Sequence, residues 1–203
     1  MYALPSSVLR DIRIAKTKLA KAAGIAGRDK TLFDQEVSRI DIVAEITPAS
    51  LPAFAPGAEV KSLYLLRLEL KAKEIHSSTL RYILKGIPQN LLIAAVFEGK
   101  VMFAIHYGSA LYRSRFKAEN GIKLPLSDAG ATLDDLYERL VLFVAGVAPN
   151  SGRTVSELLS DAKAETDYKA KVDKLKSDIA HERQPARKML LALELMKLQS
   201  AKE

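Results

Sequence analysis

Leu63–Glu74 reads LYLLRLELKAKE, and its alternation decides the fold. Leu66, Leu68 and Leu70 recur at every second position, with Arg67, Glu69, Lys71 and Lys73 on the opposite parity. Side chains on a strand alternate between two faces, so this segment is expected to carry one apolar and one charged face. The flanks extend the same logic. Upstream, RIDIVAEIT (39–47) also alternates, with Ile40, Ile42, Ala44 and Ile46 expected on one face and Asp41, Val43 and Glu45 on the other. PASLPAFAPGAE (48–59) joins the two as a loop, broken by Pro48, Pro52, Pro56 and Gly57. Downstream, Ser77 is placed to cap a helix with an apolar stripe of Leu80, Ile83, Leu84 and Ile87. LLIAAVF (91–97) and VMFAIHY (101–107) flank Glu98-Gly99-Lys100. They form an expected hairpin, apolar on both faces and therefore central in its sheet.

The remaining segments are helical in pattern. Ala15, Leu19, Ala22 and Ala23 recur at helical spacing, and Gly24 and Gly27 end that run. A short helix is expected over Thr31 to Val37. Thr132 and Asp135 have capping-box spacing ahead of Leu133, Leu136, Leu140 and Val144; Thr154 and Glu157 repeat it. Between them, Ala148–Gly152 is the expected boundary, after which the composition shifts to Ala, Glu, Asp, Lys and Leu. The fold class that follows is α+β. Residues 1–150 are expected as a mainly antiparallel sheet with packed helices, and residues 151–203 as a C-terminal helical, coiled-coil-like arm.

That arm carries two apolar lines. Tyr168, Val172, Leu175 and Ile179 follow at steps of four, three and four, the spacing of a coiled-coil seam. Pro185 suits the first turn of a new helix, in which Met189, Leu193 and Met196 align and Leu190, Leu191 and Leu195 widen the stripe. A helix this apolar needs cover from its own domain, a second copy of the chain or another protein. These seven aligned residues are the candidate partner-binding set, with a homo-oligomer through the C-terminal helices as one form of it.

Composition narrows the chemistry. The 203 residues lack cysteine, which excludes disulfides, thiol catalysis and Cys-ligated zinc. No apolar run is long enough to span a membrane, and MYALPSS does not read as a secretory signal, so a cytoplasmic location is expected. His76, His106 and His181 lie far apart, and no metal site or cofactor is expected from them. The net charge is +7, of which residues 1–30 supply seven Lys/Arg against two acids. Arg10, Arg13, Lys16, Lys18 and Lys21 are candidate contacts to DNA or RNA phosphates; a solvated terminal helix is the plainer reading. In LYRSRFK (111–117), Arg113, Arg115 and Lys117 sit among aromatics, a pattern suited to single-stranded nucleic acid or to a loop anchored by its rings.

Glu69-Leu70-Lys71 spells the E-x-K of metal-dependent nucleases. On a strand, Glu69 and Lys71 share a face about 7 Å apart. There a carboxylate can hold Mg²⁺ while the lysine stabilises charge, with Asp41 as the second acid from the neighbouring strand. Arg67 and Lys73 on the same parity favour an ordinary charged face instead.

Five ordered stretches carry a resemblance. LPSSVL with RIAKTKL, TLFDQEVSRIDIVAEITPASL, EVKSLYLLRLELKAKEI, LRYILKGIPQNLLIAAVF and ERQPARKMLLALELMKLQ together resemble the bacterial domain-of-unknown-function 4391 family. The resemblance implies no catalytic residues. It implies an accessory, non-catalytic role beside a helicase or methyltransferase subunit of restriction-like, phage-defence systems. The E-x-K nuclease, using Mg²⁺, is the alternative.

Overall fold

The computed structural model describes residues 2–126, 132–150 and 152–200, and the chain divides into two compact units, Met1–Pro149 and Asn150–Glu203. Among the described residues, the first unit holds seven strands in one mostly antiparallel sheet. The strands are β1 (Leu9–Arg13), β2 (Val37–Ile46), β3 (Leu63–Leu70), β4 (Asn90–Phe97), β5 (Lys100–Tyr107), β6 (Ala110–Arg113) and β7 (Lys117–Ala118). Their order is β1-β2-β3-β4-β5-β6, with β7 also on β5. Only β3 and β4 run parallel among these pairings. A parallel pair needs a crossover, and α3 (Ser77–Gly86) supplies it.

The two faces are covered differently. Leu66, Leu68 and Leu70 of β3 join Ile93, Ala95, Met102 and Ala104 under α1 (Lys16–Ala23), α2 (Gly27–Glu36) and α3. On the other face, Phe103 stacks edge-to-face on Tyr2 and on Phe143 of α4 (Leu133–Ala145), at 5.5 and 5.7 Å between centroids. The hairpin β4–β5 turns through Glu98 and Gly99, both with positive φ. That is the geometry of a tight two-residue turn between right-twisted strands.

Two local expectations give way to long-range contacts. First, β2 does not keep one face. Ile42 pairs with Leu66 but Ala44 pairs with Leu65, so Val43 is the extra residue of a bulge. The slip flips parity: Ala44, fully buried, and Ile46 lie on the face of Leu65 and Leu63, while Ile40 and Ile42 stay under the helices. Second, Ser77 does not cap α3; His76 precedes the helix, and no side chain of its own caps it. Glu36, at the end of α2 and 6% exposed, does that work: its carboxylate accepts from the His76 amide at 2.9 Å, from Thr79 Oγ1 and from the His76 ring. A carboxylate at a helix N-terminus meets the free amides and the positive end of the dipole together.

Small residues set the helix layer. A methyl group at Gly86 would come within 2.6 Å of Leu19 Cδ1 and 3.2 Å of the Leu19 carbonyl, so α1 lies against the end of α3 only because Gly86 has no side chain. The second unit is a helical hairpin of α5 (Val155–His181) and α6 (Pro185–Ser200). Capping boxes open α4 at Thr132 and α5 at Thr154. None of the described helices is long and apolar enough to cross a membrane.

Candidate functional site

Asp41 and Glu69 come together on the sheet face opposite α1–α3. The β2–β3 register pairs Asp41 with Arg67 and Arg39 with Glu69, so the two acids are diagonal neighbours on one face. Such neighbours lie roughly 7–8 Å apart at Cα, within side-chain reach. Asp41 is 4% exposed, and its Oδ1 has no hydrogen-bond partner among the described residues. Glu69 is about half-exposed.

A cation already stands among these acids. Arg39 Nε lies 2.6 Å from Asp41 Oδ2. Asp41 chiefly, with Glu69 and Asp11 adding at longer range, strengthens the hold of this guanidinium on its proton. Arg39 thus neutralises the cluster from within the chain. Beside it, Arg67 pairs with Glu119, which also accepts a 2.7 Å hydrogen bond from Tyr2. Burial opposes the charge on Arg67, and Glu119 outweighs it. Burial also opposes the Glu119 carboxylate, which the Arg67 and Tyr2 hydrogen bonds nonetheless hold below the usual range. Burial foremost, then Glu119, pushes the Tyr2 phenol up.

Lys71 leaves this group. It follows the last residue of β3, and its amide donates to the Glu36 carbonyl at 2.8 Å. Its Nζ donates to the Asp34 carbonyl at 2.7 Å, at the C-terminal end of α2. Among the described residues, no three His, Asp or Glu side chains are grouped so as to hold a metal ion.

The candidate nucleic-acid residues are dispersed. Arg10 and Arg13 lie on β1, and Arg113 lies on β6. These strands are five spacings apart across the sheet, roughly 24 Å. Several of the charges are engaged. Arg10 pairs with Glu45, and Lys16 pairs with Asp34 and donates to the Val37 carbonyl. Arg113 donates to Ser77 Oγ and the Ile75 carbonyl, and Lys117 sits 4.6 Å over the Phe143 ring. Lys18, Lys21 and Arg115 are exposed.

In the hairpin, the α5 line is partly covered: Val172 is buried, and Tyr168, Leu175 and Ile179 are half-buried. Leu175 shares a groove with Leu191 and Leu198 of α6. The other α6 line faces outward. Met189, Leu190, Leu193 and Met196 are 66, 67, 44 and 65% exposed. The sequence pattern reads as one stripe on α6 widened by Leu191, but in the structure Leu191 lies in the groove with α5 while Met189 and Leu193 stay exposed, because the two sets fall on different sides of the helix.

No curated protein and no solved structure matches the chain. One family model, described as Domain of unknown function (DUF4391), matches residues 3–201, so the chain belongs to that family.

Proposed function

We propose that the chain is a non-catalytic interaction protein, an accessory subunit whose α6 face docks a partner protein. The carrying observation is the outward line of Met189, Leu190 and Leu193 on a helix whose other apolar stripe already shares a groove with α5. Apolar side chains grouped in this way mark interaction surfaces. The polar cluster supports the same reading, because Arg39 occupies the acids and Lys71 is held by a main-chain carbonyl. A helicase or methyltransferase subunit of a restriction-like system is the partner that the family resemblance suggests. The basic residues exposed on α1, Lys18 and Lys21, add at most nonspecific phosphate contacts. The test is recovery of stoichiometric partners from the native host by the full chain, against a Leu190→Glu/Leu193→Glu variant. A chain that stays alone, or a partner retained equally by both, ends this reading.

One observation favours a second reading. The orphaned Asp41 Oδ1, diagonal to Glu69, is a vacant acceptor next to an E-x-K strand. A Mg²⁺-dependent nuclease would use Asp41 and Glu69 as ligands after Arg39 swings away, with Lys71 re-aimed at the phosphate. DNA cleavage in Mg²⁺ or Mn²⁺ that is lost in Glu69→Ala and Lys71→Ala would establish it. Equal activity in all three proteins would remove it.

A further inference from the structure

A second polar region of the first unit lies away from the acidic cluster, at the other end of β3 and β4. A pocket of about 440 Å³ opens between the end of α3, the start of β4 and the end of β5. That volume falls within the range of small-molecule sites. Arg81 and Lys85 line it, one helical turn apart on α3, together with His106 of β5. Spacing of four residues puts both cations on one side of their helix. No carboxylate lines the pocket among the described residues. Neither cation has an ion pair among those residues, in contrast to Arg10, Lys16, Arg39 and Arg67. Two cations with no ion pair among the described residues thus line one cavity.

The rest of the wall is mixed. Asn90 and Gln89 bring amide groups, and Leu84, Pro88 and Leu91 bring apolar surface. Tyr137 closes one side; its hydroxyl donates to the His106 carbonyl, which fixes the ring and the strand end together. The pocket lies near the C-terminal end of α3, where the helix dipole disfavours anions; the two cations on its last turns reverse that sign.

We propose that this pocket binds a nucleoside monophosphate unit, its phosphate on Arg81 and Lys85 and its base against the Leu84–Pro88 wall. Arg presents a planar fork to phosphate oxygens, and Lys a point charge. Asn90 and Gln89 offer donors and acceptors to a base edge. The unit comes either as a free nucleotide or as the phosphorylated end of a strand, and the chemistry recognised is the same.

Binding to the full chain is measured by calorimetry with adenosine 5′-monophosphate, adenosine and inorganic phosphate. Oligonucleotides with a 5′-phosphate or a 5′-hydroxyl form the second arm. The monophosphate is expected to bind at least about tenfold more tightly than adenosine, since charge-assisted contacts go to its phosphate. Arg81→Gln/Lys85→Gln, both surface positions, is expected to erase that difference while leaving the thermal midpoint unchanged. A 5′-phosphate-dependent gain that vanishes in the variant assigns a strand end; a gain confined to the mononucleotide assigns the free ligand. Absence of monophosphate binding at about 1 mM, the weakest affinity worth calling a site, overturns the proposal. Binding that persists unchanged in the double variant overturns it equally.

Discussion

Leu190→Glu together with Leu193→Glu removes the outward face of α6 at its two leucines. Their exposed fractions are 67 and 44%. Full burial of a leucine side chain is favourable by about 1.5–3 kcal/mol, so covering what is exposed here contributes roughly 2–3 kcal/mol to docking. Losing it weakens Kd by about 30- to 150-fold, and burying the new carboxylates weakens it further. Folding of the hairpin is a separate matter. Leu and Glu have nearly equal helix propensity, so helicity and thermal midpoint are expected to stay within about 0.5 kcal/mol of the wild type. The assay pairs circular dichroism with the affinity of the co-purified partner for each protein. Leu191→Glu is the internal comparison, because Leu191 shares the groove with Leu175 of α5. It should lower the melting temperature of the hairpin as well as the affinity. An outward variant that melts early, or binds as tightly as the wild type, refutes the assignment of this face.

Glu36→Ala leaves the His76 amide and Thr79 hydroxyl at the start of α3 without their buried acceptor, and should destabilise the first unit by about 2–3 kcal/mol in denaturant melts. Asp134 accepts from the amides of Val60 at 2.7 Å, Ala58 at 2.5 Å and Glu59 at 3.3 Å, Val60 foremost, and these hold its carboxyl below the usual range. A depressed carboxyl stabilises fully above its unfolded value near about 3.9 and loses that contribution as pH falls through the lower folded value. Midpoints measured between neutral and strongly acidic pH should therefore show a low-pH loss that Asp134→Asn lacks. A methyl group at Gly57 would collide with the Asp134 carboxylate. Gly57→Ala should then mimic Asp134→Asn, and the double variant should be no worse than either single one, which a thermodynamic cycle reads directly. Gly86→Val should separate α1 from α3 through its clash with Leu19 and lower the midpoint of the first unit.

Period and punctuation sufficed for the sequence alone to determine the strand character of Leu63–Leu70, the central β4–β5 hairpin, both capping boxes and the start of α6 at Pro185. These features depend on residues within a few positions of each other, and the side-chain period records which face is buried. Tertiary structure decided what those periods cannot carry. The bulge at Val43 reversed the faces of the second half of β2. Glu36, forty residues before His76, makes the cap expected of Ser77. The register of β2 on β3 put Asp41 diagonal to Glu69, with Arg39 between charges, while Lys71 turned to α2. Arg81 and His106 share one pocket only because a parallel crossover brings α3 beside the end of β5. Each of these joins groups that are distant in the chain or displaced by a single residue of slip. No local spacing encodes such contacts; they follow from how the sheet and helices close over one another.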